Sequence, residues 1–470
     1  MPTNFTHLHL LTSYSLSCST INIDKLIKLA KKNKITTLAI TDHLNVFAAI
    51  KFYQKCIDNN IKPIIGCQIP VKYDTSGKFT PNITILCKDI GGYKNLIKLL
   101  SEIHVQKEKN KTASADIAQL RKYNNGLIIL SGGRYGVIGK NLLSEDNTSK
   151  INFVKLLKEI FEDRVYVQID RGNHESEKLY NNKLLILAEE LNLPIVGTNH
   201  VLFLNRSDFE AHEVRVCINK KIKIDDRNNQ KEFSDEQYFK TEKELVDLFN
   251  DIPDAIENIS EIVKKCNIHI PVGTYHLPVF NTPDKSNVDS YFDIIVEKGL
   301  EEIIKNKKDI DVSKYKDRLK YEIKVIKEMG FVSYFLIVHE FIDWAKKNSI
   351  PVGPGRGSGA GSLVAFALKI TSIDPIKYNL LFERFLNIER ISMPDFDIDF
   401  CMINRQRIIE HITSLYGESK VSQIITYGTL SARAVIRDVG RVLGMGYTFV
   451  DRIAKLIPFS VGITIDDALK

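Results

Sequence analysis

The chain has 470 residues, 44% hydrophobic and 26% charged, an ordinary globular balance with apolar mass for two or three domains. No apolar run approaches the roughly 18 residues needed to cross a bilayer, and the start, MPTNFTHLHLL, lacks the basic and long apolar stretches of a secretory leader. Seven scattered cysteines with no CxxC pair predict reduced thiols in a cytoplasm rather than a disulfide scaffold, and the net charge of +7 is diffuse: residues 281–470 carry 27 basic and 25 acidic side chains, so charge alone singles out no polyanionic partner.

From residue 1 to about 270, short β-like runs alternate with helical ones. The predicted strands are TTLAIT (36–41), KPIIGC (62–67), NITILC (82–87), GLIILS (126–131), RVYVQI (164–169) and LPIVGT (193–198). Amphipathic stretches such as IDKLIKLAKK and NNKLLILAEELN lie between them. Serial units of this kind predict a parallel α/β architecture, closed or nearly closed, with polar residues gathered after the strands (TDHLN, GCQ, TNH) where such folds place their sites.

Residues 269–288 carry three prolines and little periodicity and read as a linker. A helix-rich stretch follows from Asp289, a candidate N-cap, to Lys347. Next comes VGPGRGSGAGSLVAFALK (352–369), a glycine-rich turn opening an apolar helix, whose first N–H groups would make an anion site. The turn lacks the Gly-Lys-Ser/Thr ending of a Walker loop. Gly355-x-Gly357-x-x-Ala360 satisfies a relaxed dinucleotide fingerprint, with Asp374 near the position of a ribose-binding acid. A tight helix–strand junction without ligand is the bland alternative.

ISMPDFDIDF (391–400) favours a different chemistry. Side chains alternate along a strand, so Asp395, Asp397 and Asp399 would share one face with neighbours about 6.5–7 Å apart, while Phe396, Ile398 and Phe400 pack behind. Three ionised carboxylates so close repel one another, and Mg²⁺, which prefers carboxylate and phosphate oxygens, would remove that repulsion. A solvated strand face is the alternative. Two helical segments follow, around 404–416 and 429–443, the second carrying Arg433, Arg437 and Arg441 at helical spacing along one stripe, suited to a nucleic-acid backbone or merely to solvent.

A glycine/serine turn before an Asp-x-Asp strand has the logic of a nucleotidyltransferase. The stretches SIPVGPGRGSGAGSLVAFALKIT, LLFERFLNIERISMPDFDIDFC and QIITYGTLSARAVIRDVGRVLG, with FVSYFLIVHEFIDWAK (331–346), closely resemble the palm signature of the bacterial replicative, C-family polymerases, the DNA polymerase III alpha subunits. The resemblance covers essentially the whole chain. It implies a distorted α/β barrel of the polymerase-and-histidinol-phosphatase (PHP) type over 1–272, the first part of a palm of the polymerase-beta-like nucleotidyltransferase kind over 273–426, and the start of a helical thumb over 427–470.

It further implies DNA-directed DNA synthesis with two Mg²⁺ ions, Asp395 and Asp397 as the catalytic metal-binding pair and Asp399 completing the motif. Gly357 and Ser358 would hold the triphosphate, with Arg356, Arg384 and Arg390 as phosphate contacts by position and charge. Primer-template DNA, deoxynucleoside triphosphates, a proofreading exonuclease subunit and a sliding clamp are the implied partners. The family's third catalytic aspartate and its fingers fall beyond Lys470, so the 470-residue chain is expected not to extend primers by itself.

The family's PHP pattern, a metal-ligand set beginning His-x-His-Thr, is eroded here. His9, Asp42 and His43 keep their positions. Leu11, Cys18, Gln68, Asn82, Val137, His200 and Leu202 stand where other ligands belong. Leucine and valine cannot coordinate and amides are weak neutral donors, so no zinc or other metal is expected in this domain. Rival readings are a PHP-type metal-dependent phosphoesterase or exonuclease, a dinucleotide-binding oxidoreductase, and a non-catalytic scaffold.

Overall fold

The structure is a computed structural model that describes residues 5–470 apart from 17, 73–79, 107–112, 137–147, 174–176, 228–231, 274–275, 277, 308–309 and 390–392. The chain divides into two compact units, Met1–Pro271 together with Thr429–Lys470, and Val272–Gly428.

In the first unit all six predicted strands form: β1 (Thr37–His43), β2 (Lys62–Pro70), β3 (Asn82–Cys87), β4 (Leu127–Leu130), β5 (Val165–Asp170) and β6 (Ile195–Thr198). They lie in one sheet in chain order. The expectation of an all-parallel sheet is corrected: β3 runs antiparallel to both β2 and β4, while β1–β2, β4–β5 and β5–β6 are parallel. The reason is local. Only 11 residues separate Pro70 from Asn82, fewer than the dozen or more that a parallel crossover needs, and Val71 N–H donates to Pro81 O.

Both faces of the sheet are covered. Ile65, Ile83, Ile85, Ile129 and Val167 pack under Leu96, Leu99, Leu157 and Leu184 from helices Ile90–Val105, Thr148–Phe161 and Glu177–Glu190. Ala39, Ile64, Leu86, Ile128 and Val196 pack against Ile256, Ile259 and Ile262 of helix Pro253–Lys265. Burial on two sides is why these strands read as continuous apolar runs rather than alternating ones.

The N-terminal segment bridges the two edges of the sheet. Leu10 O accepts from Thr41 N–H of β1 (2.7 Å), while His9 O accepts from Val201 N–H (3.0 Å) and Leu11 N–H donates to Val201 O (3.1 Å) beyond β6. The nearly closed arrangement read from the sequence therefore rests on this one segment. Helix Ala432–Val442 joins the same unit, with Val442 buried against Val214 and Cys217. The segment expected to begin a separate thumb thus groups with the first unit.

The second unit is built on helices Val288–Asn306, Val312–Glu328 and Val332–Lys347, with Arg405–Tyr416 after the acidic motif. Asn287, not Asp289, caps the first of these, its side chain accepting from the Asp289 and Ser290 N–H groups. The core gathers Phe292, Val296, Leu319, Ile326, Phe335, Leu336, Leu363, Val364 and Phe382. Phe335 is its hub, with rings of Phe292, Phe396 and Phe385 at 5.2–6.2 Å.

Because Phe335 is wholly buried between three other rings, Phe335→Ala is expected to cost about 3–5 kcal/mol. Urea unfolding followed by fluorescence of Trp344, the chain's single tryptophan and a member of this unit, measures it; a loss below about 1 kcal/mol would show that the ring cluster does not hold the unit together.

Candidate functional site

The glycine loop and the acidic segment lie side by side, antiparallel. Val352 bridges Phe400 and Arg356 bridges Asp397, with Gly353 N–H donating to Asp399 O (2.8 Å) and Cys401 N–H to Pro351 O (3.1 Å). The predicted acidic strand is corrected to an extended segment joined by these isolated bridges. Counting along the two bridges shows the cause: the glycine side carries one more residue than the acidic side, and Gly355 (φ 98°) and Gly357 (φ 68°) take positive-φ conformations that break the ladder.

This bulge sets the site. It places the Arg356 side chain on the carboxylate face, Nε 3.2 Å from Asp399 Oδ2 and Nη2 3.5 Å from Asp397 Oδ1. One guanidinium reaching both acids fits the predicted sharing of a face by Asp397 and Asp399, and Asp395, two residues earlier, is exposed. The pairs are largely exposed, so each contributes at most about 1 kcal/mol and can be exchanged for another cation. Gly357 leaves no room for a side chain, since a Cβ there would stand 2.5 Å from Asp397 Oδ2.

The apolar half of the motif faces inward as expected. Phe396 stacks on Tyr334 (5.6 Å between ring centres) and meets Phe335 and Phe385, and Phe400 lies against Phe341. Tyr334, which the sequence reading did not single out, also accepts a hydrogen bond at its hydroxyl from Phe396 N–H (3.2 Å). Burial first, and then Asp395, push the Tyr334 phenol upward, so it stays protonated beneath the acids.

Other expectations are changed by the structure. The start of helix Leu363–Ala367 is not an open anion site: the buried Glu322 carboxylate takes the Leu363 and Val364 N–H groups at 3.0 Å each. Asp374 is buried and engaged with Lys307, the Tyr315 hydroxyl and the Ile376 and Lys377 N–H groups, which removes it as a ribose ligand and with it the dinucleotide reading. Arg384 is exposed, and Arg390 lies outside the described residues. Two of the three arginines of the stripe turn toward the following helix, Arg433 donating to Ile457 O and Arg437 to Asp451, and hold the two together; the exposed Arg441 pairs with Asp438 of its own helix.

In the first unit the remnant metal positions form a buried neutral network. His9 is stacked on His200 (4.2 Å) and its ring nitrogens lie 3.1 and 3.0 Å from the amide nitrogens of Gln68 and Gln168. A neutral imidazole accepts at one ring nitrogen only, so one of these two amide nitrogens donates to it. Gln68 also contacts His43 Nδ1 (3.2 Å), and Gln168 donates to Asp170 (3.1 Å). Burial lowers His9 to about 3 and lowers His43 as well. Asp42 accepts from Thr12 N–H, Thr12 Oγ1 and Ser15 Oγ at 2.6–2.8 Å, and burial raises it. Leu11 and Leu202 pack with Phe203 in an apolar cluster that Cys18 touches. Asn82 begins β3, and Val137 lies outside the described residues. Among the described residues no group of three or more His, Cys, Asp or Glu side chains converges to hold a metal.

Family models match two regions, the PHP domain over residues 7–172 and the bacterial DNA polymerase III alpha NTPase domain over 290–470. Curated relatives named DNA polymerase III subunit alpha align along nearly the whole chain: 45% identity in Haemophilus influenzae, covering 99% of this chain and 41% of the relative, 44% in Escherichia coli K12 (99% and 41%), and 42% in Pseudomonas aeruginosa (100% and 40%). This chain therefore spans about 40% of the length of those relatives. A solved structure of a putative metal-dependent phosphoesterase from Bifidobacterium adolescentis overlaps 42% of this chain and 86% of its own at 13% identity, with a TM-score of 0.31, too slight a likeness to carry weight.

His7, two residues from His9, sits between Phe5 and Phe239 with Nε2 2.9 Å from Lys240 O, and burial lowers it from 6.5 to about 4. The unfolded chain then binds more protons between those values, so stability is expected to fall as pH drops from about 6.5 to about 4. His7→Leu should flatten that fall by up to about 3 kcal/mol, read by hydrogen exchange of the β1 and β2 amides; an unchanged slope would show that His7 is not the group responsible.

Proposed function

The chain belongs to the bacterial DNA polymerase III alpha family, whose PHP and alpha NTPase domains it carries, and on that premise we propose that residues 272–428 supply the nucleotide- and metal-binding part of a template-directed DNA polymerase. The observation that carries this reading is the antiparallel approach of Gly353–Gly357 to Asp397–Asp399, which sets backbone N–H donors beside a row of carboxylates.

The acidic face suits divalent ions. All three side chains are oxygen donors, Asp395 and Asp399 are exposed, and a guanidinium already stands as a cation between Asp397 and Asp399. Asp395 and Asp397 would hold the ions, with Asp399 beside them. When bound, two Mg²⁺ ions would activate a primer 3′-hydroxyl and stabilise a leaving pyrophosphate. The Gly357–Ser358 turn would hold the triphosphate of the incoming deoxynucleotide through its N–H groups and the serine hydroxyl. Arg356, freed from the acids as the ions arrive, would turn to a phosphate oxygen, with Arg384 nearby in sequence as a further contact. Phe396 and Tyr334 fix the backbone that carries the acids, so the contribution of the protein is positional and electrostatic. Primer-template DNA is the implied substrate, a proofreading exonuclease and a sliding clamp the implied partners, and the cytoplasm the implied compartment. Among the described residues no helix is long and apolar enough to cross a membrane.

The first unit does not fit the metal cluster of its family. Its remnant ligands are neutralised by glutamines, saturated by hydroxyl and amide donors, or replaced by leucines in an apolar cluster. We read it as a structural platform.

In a polymerase of full family length carrying this segment, Asp395→Asn or Asp397→Asn is expected to lower primer extension by at least about 10³-fold, while the melting temperature holds or rises because one like charge is gone. Extension near the parent rate would refute the assignment. Elemental analysis of the purified chain should find fewer than about 0.1 equivalents of zinc, manganese or iron; two or more tightly bound ions would overturn the platform reading.

A further inference from the structure

Two oppositely charged side chains on helix Val312–Glu328, the buried Glu322 and the half-buried Arg318, stand apart from the acidic site and have no part in the chemistry above. Glu322 is fully buried, and both carboxylate oxygens are doubly engaged. Oε1 accepts from Arg318 Nε (2.6 Å) and Leu363 N–H (3.0 Å); Oε2 accepts from Ser362 Oγ (2.8 Å) and Val364 N–H (3.0 Å). Arg318 reaches past it, donating through Nη2 to Gly361 O (3.1 Å) and Leu380 O (3.3 Å).

The held segment has no slack on its other side. A Cβ at Gly359 would stand 2.7 Å from the Phe396 ring, and one at Gly361 would stand 2.7 Å from Leu381 O. Residues 359–364 are thus clamped between the Arg318–Glu322 pair and the back of the acidic segment, immediately after the Gly357–Ser358 turn. All four groups facing Glu322 present hydrogens to it, so an ionised carboxylate satisfies them and an amide, with two hydrogens of its own, does not.

We propose that Glu322, oriented by Arg318, is the positioning residue of the nucleotide site: by holding Ser362, Leu363 and Val364 against the back of the acidic segment, it fixes the Gly357–Ser358 turn beside Asp397 in the geometry that receives the triphosphate. This rests on the polymerase reading above.

The test uses the 470-residue chain, with Mg²⁺–dATP titration by equilibrium dialysis and Mn²⁺ binding followed by electron paramagnetic resonance. Glu322→Gln is expected to weaken dATP binding by at least about tenfold, and Ser362→Ala by a few-fold, with Mn²⁺ binding changed less than about twofold in both. Arg318→Lys, which keeps the charge but loses the fork that spans Gly361 and Leu380, should weaken dATP as Ser362→Ala does and serves with it where Glu322→Gln does not fold. Parental dATP affinity in the folded variants overturns the proposal, as does a parallel loss of dATP and Mn²⁺ binding in Ser362→Ala, which marks general loosening instead. Absence of dATP binding by the parent chain would refute the polymerase reading itself and the proposal with it.

Discussion

The second unit depends on one close approach, a backbone without side chains running against a row of carboxylates. Gly353 and Gly357 have no Cβ to hold the chains apart, and a Cβ at either would stand 3.1 Å from Asp399 Cβ or 2.5 Å from Asp397 Oδ2. The extra residue taken up at Gly355 then turns Arg356 onto the acidic face. Charge repulsion among the acids is met by that guanidinium, while the apolar alternate residues anchor the segment in the Phe335 cluster. The site is therefore one object with a polar front and an aromatic back, and changing the back moves the front.

The first unit shows the opposite treatment of buried polar groups. A pocket whose family pattern calls for cations and charged ligands is here filled with neutral histidines and glutamines. His9 between Gln68 and Gln168 is held neutral because its desolvation is not offset by any nearby carboxylate bond to the ring, and a charged imidazolium there would leave an unpaired buried charge. Asp42 keeps its charge-compatible donors from Thr12 and Ser15, so its place in the pattern survives with a local, turn-holding role. Next to this pocket, the His9–Leu11 segment carries the backbone bonds that join β1 to the chain beyond β6.

Local signals carried far in some places and stopped short in others. The six strands were legible because two-sided burial writes uninterrupted apolar runs, and the helix after Ser431 because its cap and its amphipathic spacing agree. The reversal of β3 was not legible, since strand direction depends on how the chain returns and not on composition. Arg433, Arg437 and Arg441 fell on one stripe as their spacing dictates, yet spacing does not say whether a stripe meets DNA, solvent or the next helix, and Asp451 and Ile457 O supplied an internal answer.

What the sequence by itself determined is the chemistry on offer: three acids at alternate positions, a glycine-serine turn before them, and leucine, valine or amide side chains at several positions where the family resemblance implies metal ligands. Those follow from residue identity and spacing, which are local. Only the tertiary structure decided which anion sits at the helix start, because Glu322 comes from 40 residues earlier than Ser362 and nothing local to either announces the pairing. It also decided that Asp374 is a buried structural acid and that Tyr334 lies beneath the site. A hydrogen-bond partner is chosen by proximity after the helices pack, so it is fixed by the fold as a whole and cannot be read from any one stretch of the chain.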